Sequence, residues 1–318
     1  MAQLPIGVIG VGALGRYHAR HLALAPDAQL VGVHDIDAPR GKAIATEVGC
    51  RFFGDVDQLL SAVEAVTIAV PTPVHAEVGL HALGRSKSVL MEKPLATSLA
   101  EADELLAAAE QHRVQLQVGH IERFNRALRA AEPYLTDVRY FESTRLAPFQ
   151  PRGTDVAVVL DLMIHDLDLI LHLTRGARVV EVRASGVAVL TPFLDLATAR
   201  VEFADGAVAN ITSSRVARDR IRKLRLFQPN GYLTLDLAAG TGEFLRVLPG
   251  DRPNGAASLE EVVERIPLSA PEGDALGSEL ESFVRSVRGD GGAVVTGTEG
   301  RAALALALRV TEAVQRRP

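Results

Sequence analysis

The stretch PIGVIGVGALGRYHARHLALA, residues 5–25, decides the fold. PIGVI (5–9) reads as a short buried strand. GVGALG then places Gly10, Gly12 and Gly15 in a tight turn, and RYHARHLALA continues as a helix that stops at Pro26. Gly10 permits the turn, Gly12 lets backbone approach a pyrophosphate, and Gly15 lets the helix lie close to the strand. QLVGVHD forms the next strand and closes on Asp35, 20 residues beyond Gly15. Strand, glycine turn, helix and acid at these spacings make up a dinucleotide fingerprint. The helix start offers N–H groups and a favourable dipole to phosphate. Asp35 suits the ribose hydroxyls and repels a 2′-phosphate, so the expected cofactor is NAD. Ala13 and Leu14 in the loop, and Ile36 beside the acid, complete the expected lining.

The alternation continues outward from this stretch. RFF, AVTIAV, SVLMEKP and VQLQVGH read as further strands separated by helices, and Ser98 with Glu101 forms a capping-box pattern before LAEADELLAAAEQH. Short apolar strands alternating with helices predict an α/β fold with a doubly wound parallel sheet. Two strand ends carry chemistry. VPTPVH supplies Val70, Pro71 and His75 as a wall of the cofactor crevice. MEKPLA places Glu92 and Lys93 at the carboxyl edge of the sheet, where open α/β folds bind ligands. The chain has only four lysines (42, 87, 93 and 223) among 34 basic residues. Where a cation merely has to be cationic it uses Arg, so Lys93 points to proton chemistry that guanidinium cannot perform.

From residue 138 the pattern changes to period two. VRYFESTR, VVEVRASGVAV, LATARVEFADGAVANITSSR, KLRLFQPNGYLTLDLA and GEFLRVLP alternate apolar and polar residues, with Asp205-Gly206 and Asn230-Gly231 as turn signals. These read as antiparallel strands of a second, α+β domain. The expected division is 1–120 for the nucleotide domain and 121–318 for this second domain.

Between the first two of these strands lies LDLMIHDLDLILHL, residues 160–173. As a regular helix it would bring Asp161, His165, Asp168 and His172 onto one face, within about 60° of each other. Such a stripe lines a cleft, holds a metal or satisfies itself. No second helix offers matching Glu/His spacing, so no metal is expected. Asp168 and His172 read as structural. Arg145 and Arg152, in the preceding RLAPFQPRGTD region, suit a phosphate- or carboxylate-bearing substrate.

Composition bounds the setting. A chain of 318 residues that is 47% hydrophobic, with a formal charge of −5, holds two domains and lacks the basic aromatic surface of a nucleic-acid binder. One cysteine, Cys50, excludes an internal disulfide. Neither a membrane span nor a basic leader is evident, so a cytoplasmic protein is expected.

The glycine fingerprint, PTPVH, EKP, GHIERFN and DLMIHD occur in an order that resembles the Gfo/Idh/MocA family of NAD(P)-dependent oxidoreductases. The resemblance covers essentially the whole chain. It implies a Rossmann domain followed by an α+β domain with a large, open, mostly antiparallel sheet that builds homodimers or homotetramers. It implies a catalytic set of Lys93, Asp161 and His165, all three also touching substrate. His165 would take the hydroxyl proton, Lys93 would hydrogen-bond the same oxygen and Asp161 would orient, with the roles of lysine and histidine exchangeable. Within the family, VVLDLMIHDLDLI and SRVARDRIRKLRLFQP are most similar to nucleotide-sugar 3-dehydrogenases of the UDP-N-acetylglucosamine type, which serve 2,3-diamino sugar and lipid A synthesis. The other readings are a dehydrogenase of another sugar or inositol, and a silent NAD-binding sensor.

Overall fold

The computed structural model describes residues 3–150, 156–248, 258 and 262–316. The chain divides into two compact units, 1–121 with 273–304, and 122–272 with 305–318. Residues 273–304 thus return to the first unit, which the linear division 1–120 and 121–318 does not include. Apolar burial is the reason. In the helix Ala275–Val287, Leu280, Phe283 and Val284 are almost fully buried, in one core with Ile6, Val8, Leu22 and Leu90.

The first unit holds a six-stranded parallel sheet in the order β3-β2-β1-β4-β5-β6. Its strands are β1 (Leu4–Ile9), β2 (Ala28–His34), β3 (Arg51–Phe53), β4 (Ala65–Ile68), β5 (Ser88–Glu92) and β6 (Leu116–Gly119). The order reverses between β1 and β4, which opens a crevice at the carboxyl ends of those strands. Helix α1 (Gly15–Leu24) follows β1. The Ser98 capping box opens the helix Leu99–His112, with Glu101 reaching back to the Ser98 N–H. In β4 and nearly all of β5 every residue is buried, as a sheet covered on both faces requires.

The second unit is built on an eight-stranded sheet in the order β14-β13-β12-β11-β7-β10-β9-β8. It comprises β7 (Tyr140–Leu146), β8 (Val179–Val187), β9 (Leu196–Phe203), β10 (Val208–Ser214), β11 (Ile221–Gln228), β12 (Gly231–Asp236), β13 (Thr241–Val247) and β14 (Val263–Leu268). All neighbours are antiparallel except β7 and β10, which run parallel. The period-two pattern predicts strands without their partners, so this one parallel contact is new. So is β14, VERIPL at Val263–Leu268.

The connection from β8 to β9 wraps around Asp195, which is fully buried. Its carboxylate accepts N–H bonds from Val189, Leu190 and Thr191 at 2.7, 2.6 and 2.9 Å, and one from the Arg215 Nε at 2.8 Å. Burial opposes its charge, but Arg215 and the three amides outweigh burial and hold it below the usual carboxylate range. Its contribution to stability is therefore complete above the ordinary Asp value near 4 and is lost as pH falls toward the depressed one. We expect Asp195→Asn to cost about 3 kcal/mol in urea unfolding at pH 7, because it leaves Arg215 buried without its acid. The gap between variant and wild type should narrow at pH 3.

Candidate active site

In the first unit, the site is built from the glycine turn after β1 and the ends of β4 and β5. Gly10 has φ of +82°, and a Cβ there would lie 2.9 Å from the Ala69 carbonyl oxygen. A Cβ on Gly15 would lie 1.8 Å from the Gly10 oxygen, so helix α1 starts against the turn only with glycine at both positions. Gly12 differs, because a Cβ there meets nothing within 4 Å. The open space lies on the outside of the turn. Among the described residues, the N–H groups of Gly12, Ala13 and Leu14 meet no acceptor, and α1 has no side-chain cap. This is an anion cradle at a helix start.

Asp35 is buried and accepts the Val11 N–H at 2.8 Å and the Asp37 N–H at 2.8 Å. Arg40 clasps it at 3.1 and 2.7 Å. Burial opposes the Asp35 charge, but these donors win and keep it below its usual range. Arg40 is thus engaged by Asp35 and also lies 3.1 Å from Asp37. Next to Asp35, Ile36 is 96% exposed.

His75 and Glu92 take different places from those expected of cofactor contacts. His75 is buried, with Nδ1 2.8 Å from the Pro94 oxygen and Nε2 2.9 Å from the Val70 oxygen. Burial pulls it below the ordinary histidine value, and the neutral ring has one N–H, so it donates to one of these two carbonyls, at the end of β4 or at the turn after Lys93. Glu92 points inward to His18 at 2.9 Å and accepts the Lys93 N–H at 3.2 Å. Both act on the backbone around Lys93 rather than presenting polar atoms outward. The Lys93–Pro94 peptide is cis.

In the second unit, the site helix begins as a π turn, Val159–Met163, and continues as the α-helix Ile164–Leu173. Asp161 sits in the π turn, and His165 lies in the first α turn; both are half-buried. The single charged face expected of a regular helix is therefore divided. Asp168 is buried and held by Arg123 at 2.6 and 2.9 Å, whereas His172 is exposed.

Arg145 requires a correction. It is 2% exposed, with two bonds to Asp166 at 2.7 and 3.0 Å and one to Glu122 at 2.8 Å. Burial opposes its charge, but Asp166 and Glu122 raise it above the ordinary arginine value. Arg145 sits on the buried face of β7 in alternation with Phe141 and Ser143, so it faces the site helix as a structural cation and not a substrate. Asp166 and Glu122, which sequence reasoning passed over, complete this cluster with Asn125, whose amide donates to Glu122 at 2.9 Å. The signal was the strand alternation itself, which puts residue 145 on the same side as Phe141. Arg152 lies outside the described residues.

Residues 4–120 match the family model for the NAD-binding Rossmann fold of the Gfo/Idh/MocA oxidoreductases, and residues 131–234 match that family's C-terminal domain. The chain belongs to the Gfo/Idh/MocA family. This family member is an oxidoreductase with NAD as its cofactor, and the open Gly12 cradle, Asp35 and exposed Ile36 fit that group. It is 40% identical over 320 residues to a UDP-N-acetylglucosamine 3-dehydrogenase of Acidithiobacillus ferrooxidans, covering 99% of this chain and 98% of the relative. The solved structure of the Acidithiobacillus ferrooxidans enzyme aligns with a TM-score of 0.91 at 39% identity over 99% of each chain. A myo-inositol 2-dehydrogenase of Thermotoga maritima is 27% identical over 95% of this chain and 93% of its own.

Two outcomes follow for this Gfo/Idh/MocA chain. Gly12→Val should melt near the wild-type temperature, since the space is open. It should weaken NADH binding, read by fluorescence titration, by roughly 100-fold, about 3 kcal/mol. Arg145→Met should instead lower unfolding free energy by about 3–5 kcal/mol, because Asp166 and Glu122 lose their buried partner.

Proposed function

We propose that this chain is an NAD-dependent UDP-N-acetylglucosamine 3-dehydrogenase, which oxidises the sugar 3-hydroxyl to a ketone. The observation that carries this reading is the 40% identity spread over 99% of the chain to an enzyme of that activity. A likeness of this extent covers both the cofactor unit and the unit bearing the site helix.

The chemistry asks for two things from the chain beyond holding the cofactor. NAD, when bound, supplies the oxidising equivalent by accepting the hydride from C3. The hydroxyl proton must leave as that hydride does, and His165 takes it, since imidazole titrates near neutrality. Lys93, by the family resemblance, would donate a hydrogen bond to the reacting hydroxyl oxygen and stabilise the negative charge that develops there. Asp161 orients the substrate or His165. The N–H groups of the glycine turn would hold the cofactor's pyrophosphate, Asp35 its ribose, and Ile36 and Leu14 would give it an apolar lining. The resulting 3-keto sugar is the form an aminotransferase needs to install a 3-amino group, as in 2,3-diamino sugars of lipid A.

The outer face of the second sheet supports assembly into a homodimer or homotetramer. Tyr140, Phe227 and Tyr232 stand in contact there, with ring centroids 5.8 and 5.3 Å apart, and remain half-buried in the single chain. No helix among the described residues is long and apolar enough to cross a membrane.

NADH absorbance with UDP-N-acetylglucosamine, coupled to a sugar aminotransferase to remove the ketone, tests the proposal. Turnover should exceed that with inositol or free hexoses. Lys93→Met and His165→Ala should each lower kcat by about 10²- to 10⁴-fold. No turnover with any UDP-sugar, or undiminished turnover in the double variant, would sink it.

A further inference from the structure

Helix α1 buries Gly15, His18, Ala19 and Leu22 on its sheet-facing side. His18 is the polar exception, 1% exposed, and its Nε2 lies 2.9 Å from Glu92 Oε1. The other Glu92 oxygen, Oε2, accepts the N–H of Lys93 at 3.2 Å. Gly119 pairs with Glu92 across β5 and β6. Burial opposes the Glu92 charge, but the His18 hydrogen bond and the neighbouring Lys93 prevail, so Glu92 stays a carboxylate. A carboxylate only accepts, so the His18 ring donates from Nε2. The His18 Nδ1 has no hydrogen-bond partner in the structure, which leaves the Glu92 bond as the ring's hydrogen bond.

We infer that His18 is a positioning residue for Lys93, acting through Glu92. The peptide before Lys93 is fixed by the Glu92 oxygen that accepts its N–H, and His18 fixes that carboxylate from the opposite side. On the other side of Lys93, His75 Nδ1 lies 2.8 Å from the Pro94 oxygen. Lys93 is therefore held on one side through Glu92 and His18, with the buried His75 ring packed at the turn on the other. Glu92 also places a negative charge beside the lysine ammonium. His18 stands on the helix whose first turn cradles the cofactor phosphates, so one helix sets both the cofactor and the lysine.

The inference rests on the proposed dehydrogenase for its kinetic arm, and a second arm is independent of activity. His18→Leu removes the donor, and His18→Gln restores an N–H at the Nε2 position. Kinetics should show kcat with UDP-N-acetylglucosamine falling about 10- to 100-fold in His18→Leu. KM for NAD should stay within about threefold, and His18→Gln should recover most of the loss. In the second arm, the lysines are reductively methylated with ¹³C and followed by NMR. The chain has four, so the Lys93 signal is assigned with Lys93→Arg. At fixed pH this signal should move in His18→Leu and in Glu92→Gln, return toward wild type in His18→Gln, and leave Lys42, Lys87 and Lys223 in place. An unmoved Lys93 signal, failure of Gln to rescue, or a loss confined to KM for NAD overturns the inference and leaves His18 as helix packing. If wild type does not turn over the UDP-sugar, the proposed function fails, and the NMR arm alone decides the role of His18.

Discussion

A carboxylate taken out of water must be met by a donor within the fold, and both units of this chain are organised around that constraint. In the first unit Glu92 is met by His18, and Asp35 by Val11, Asp37 and Arg40. In the second, Asp166 is met by Arg145, Asp168 by Arg123, and Asp195 by Arg215. Each pair fixes a segment that a purely apolar core would leave free to slide. The first two hold the turns at the strand ends, and the next two hold the site helix against the rest of its unit. Arginine dominates because its planar fork makes two parallel bonds to one carboxylate and leaves fewer donors unanswered.

This accounts for what could be read in advance. The Rossmann unit was legible because its signals are local. A glycine turn, an acid at fixed distance and strand–helix alternation each reflect the geometry of a few neighbouring residues. The positions of Gly10, Gly12, Gly15 and Asp35 needed only that. The buried ion pairs were not legible, because each partner is meaningless alone. Arg145 looks like a substrate cation until Asp166 and Glu122 are brought to it from residues 21 and 23 positions away. His18 looks like one polar residue on a helix until Glu92, 74 positions on, arrives beneath it.

The site helix shows a subtler limit. A regular 100° step per residue puts Asp161 and Asp168 on the same face, yet one is half-buried and the other sealed against Arg123. The π turn at Val159–Met163 places an i+5 hydrogen-bonding pattern where the wheel assumes i+4, which turns the first residues relative to the rest. Nothing in VLDLM announces such a turn, since its residues are ordinary helix formers. Short π segments recur at functional sites because they reorient a side chain without breaking the helix, and Asp161 sits in the middle of this one.

The return of residues 273–304 to the first unit bears on the order in which the chain takes shape. Phe283, Leu280 and Val284 belong to the same core as Ile6, Val8 and Leu22. A ribosome delivers the second unit's sheet before it delivers that helix. The nucleotide unit, although begun first, closes its core only after the second unit's sheet has been made, and until then an apolar strip beside α1 stays open to water. A fragment ending at residue 121 would keep that strip exposed for good. The two units are interleaved in the chain, each made of two segments, and a graft that moves the cofactor unit must carry both of its pieces.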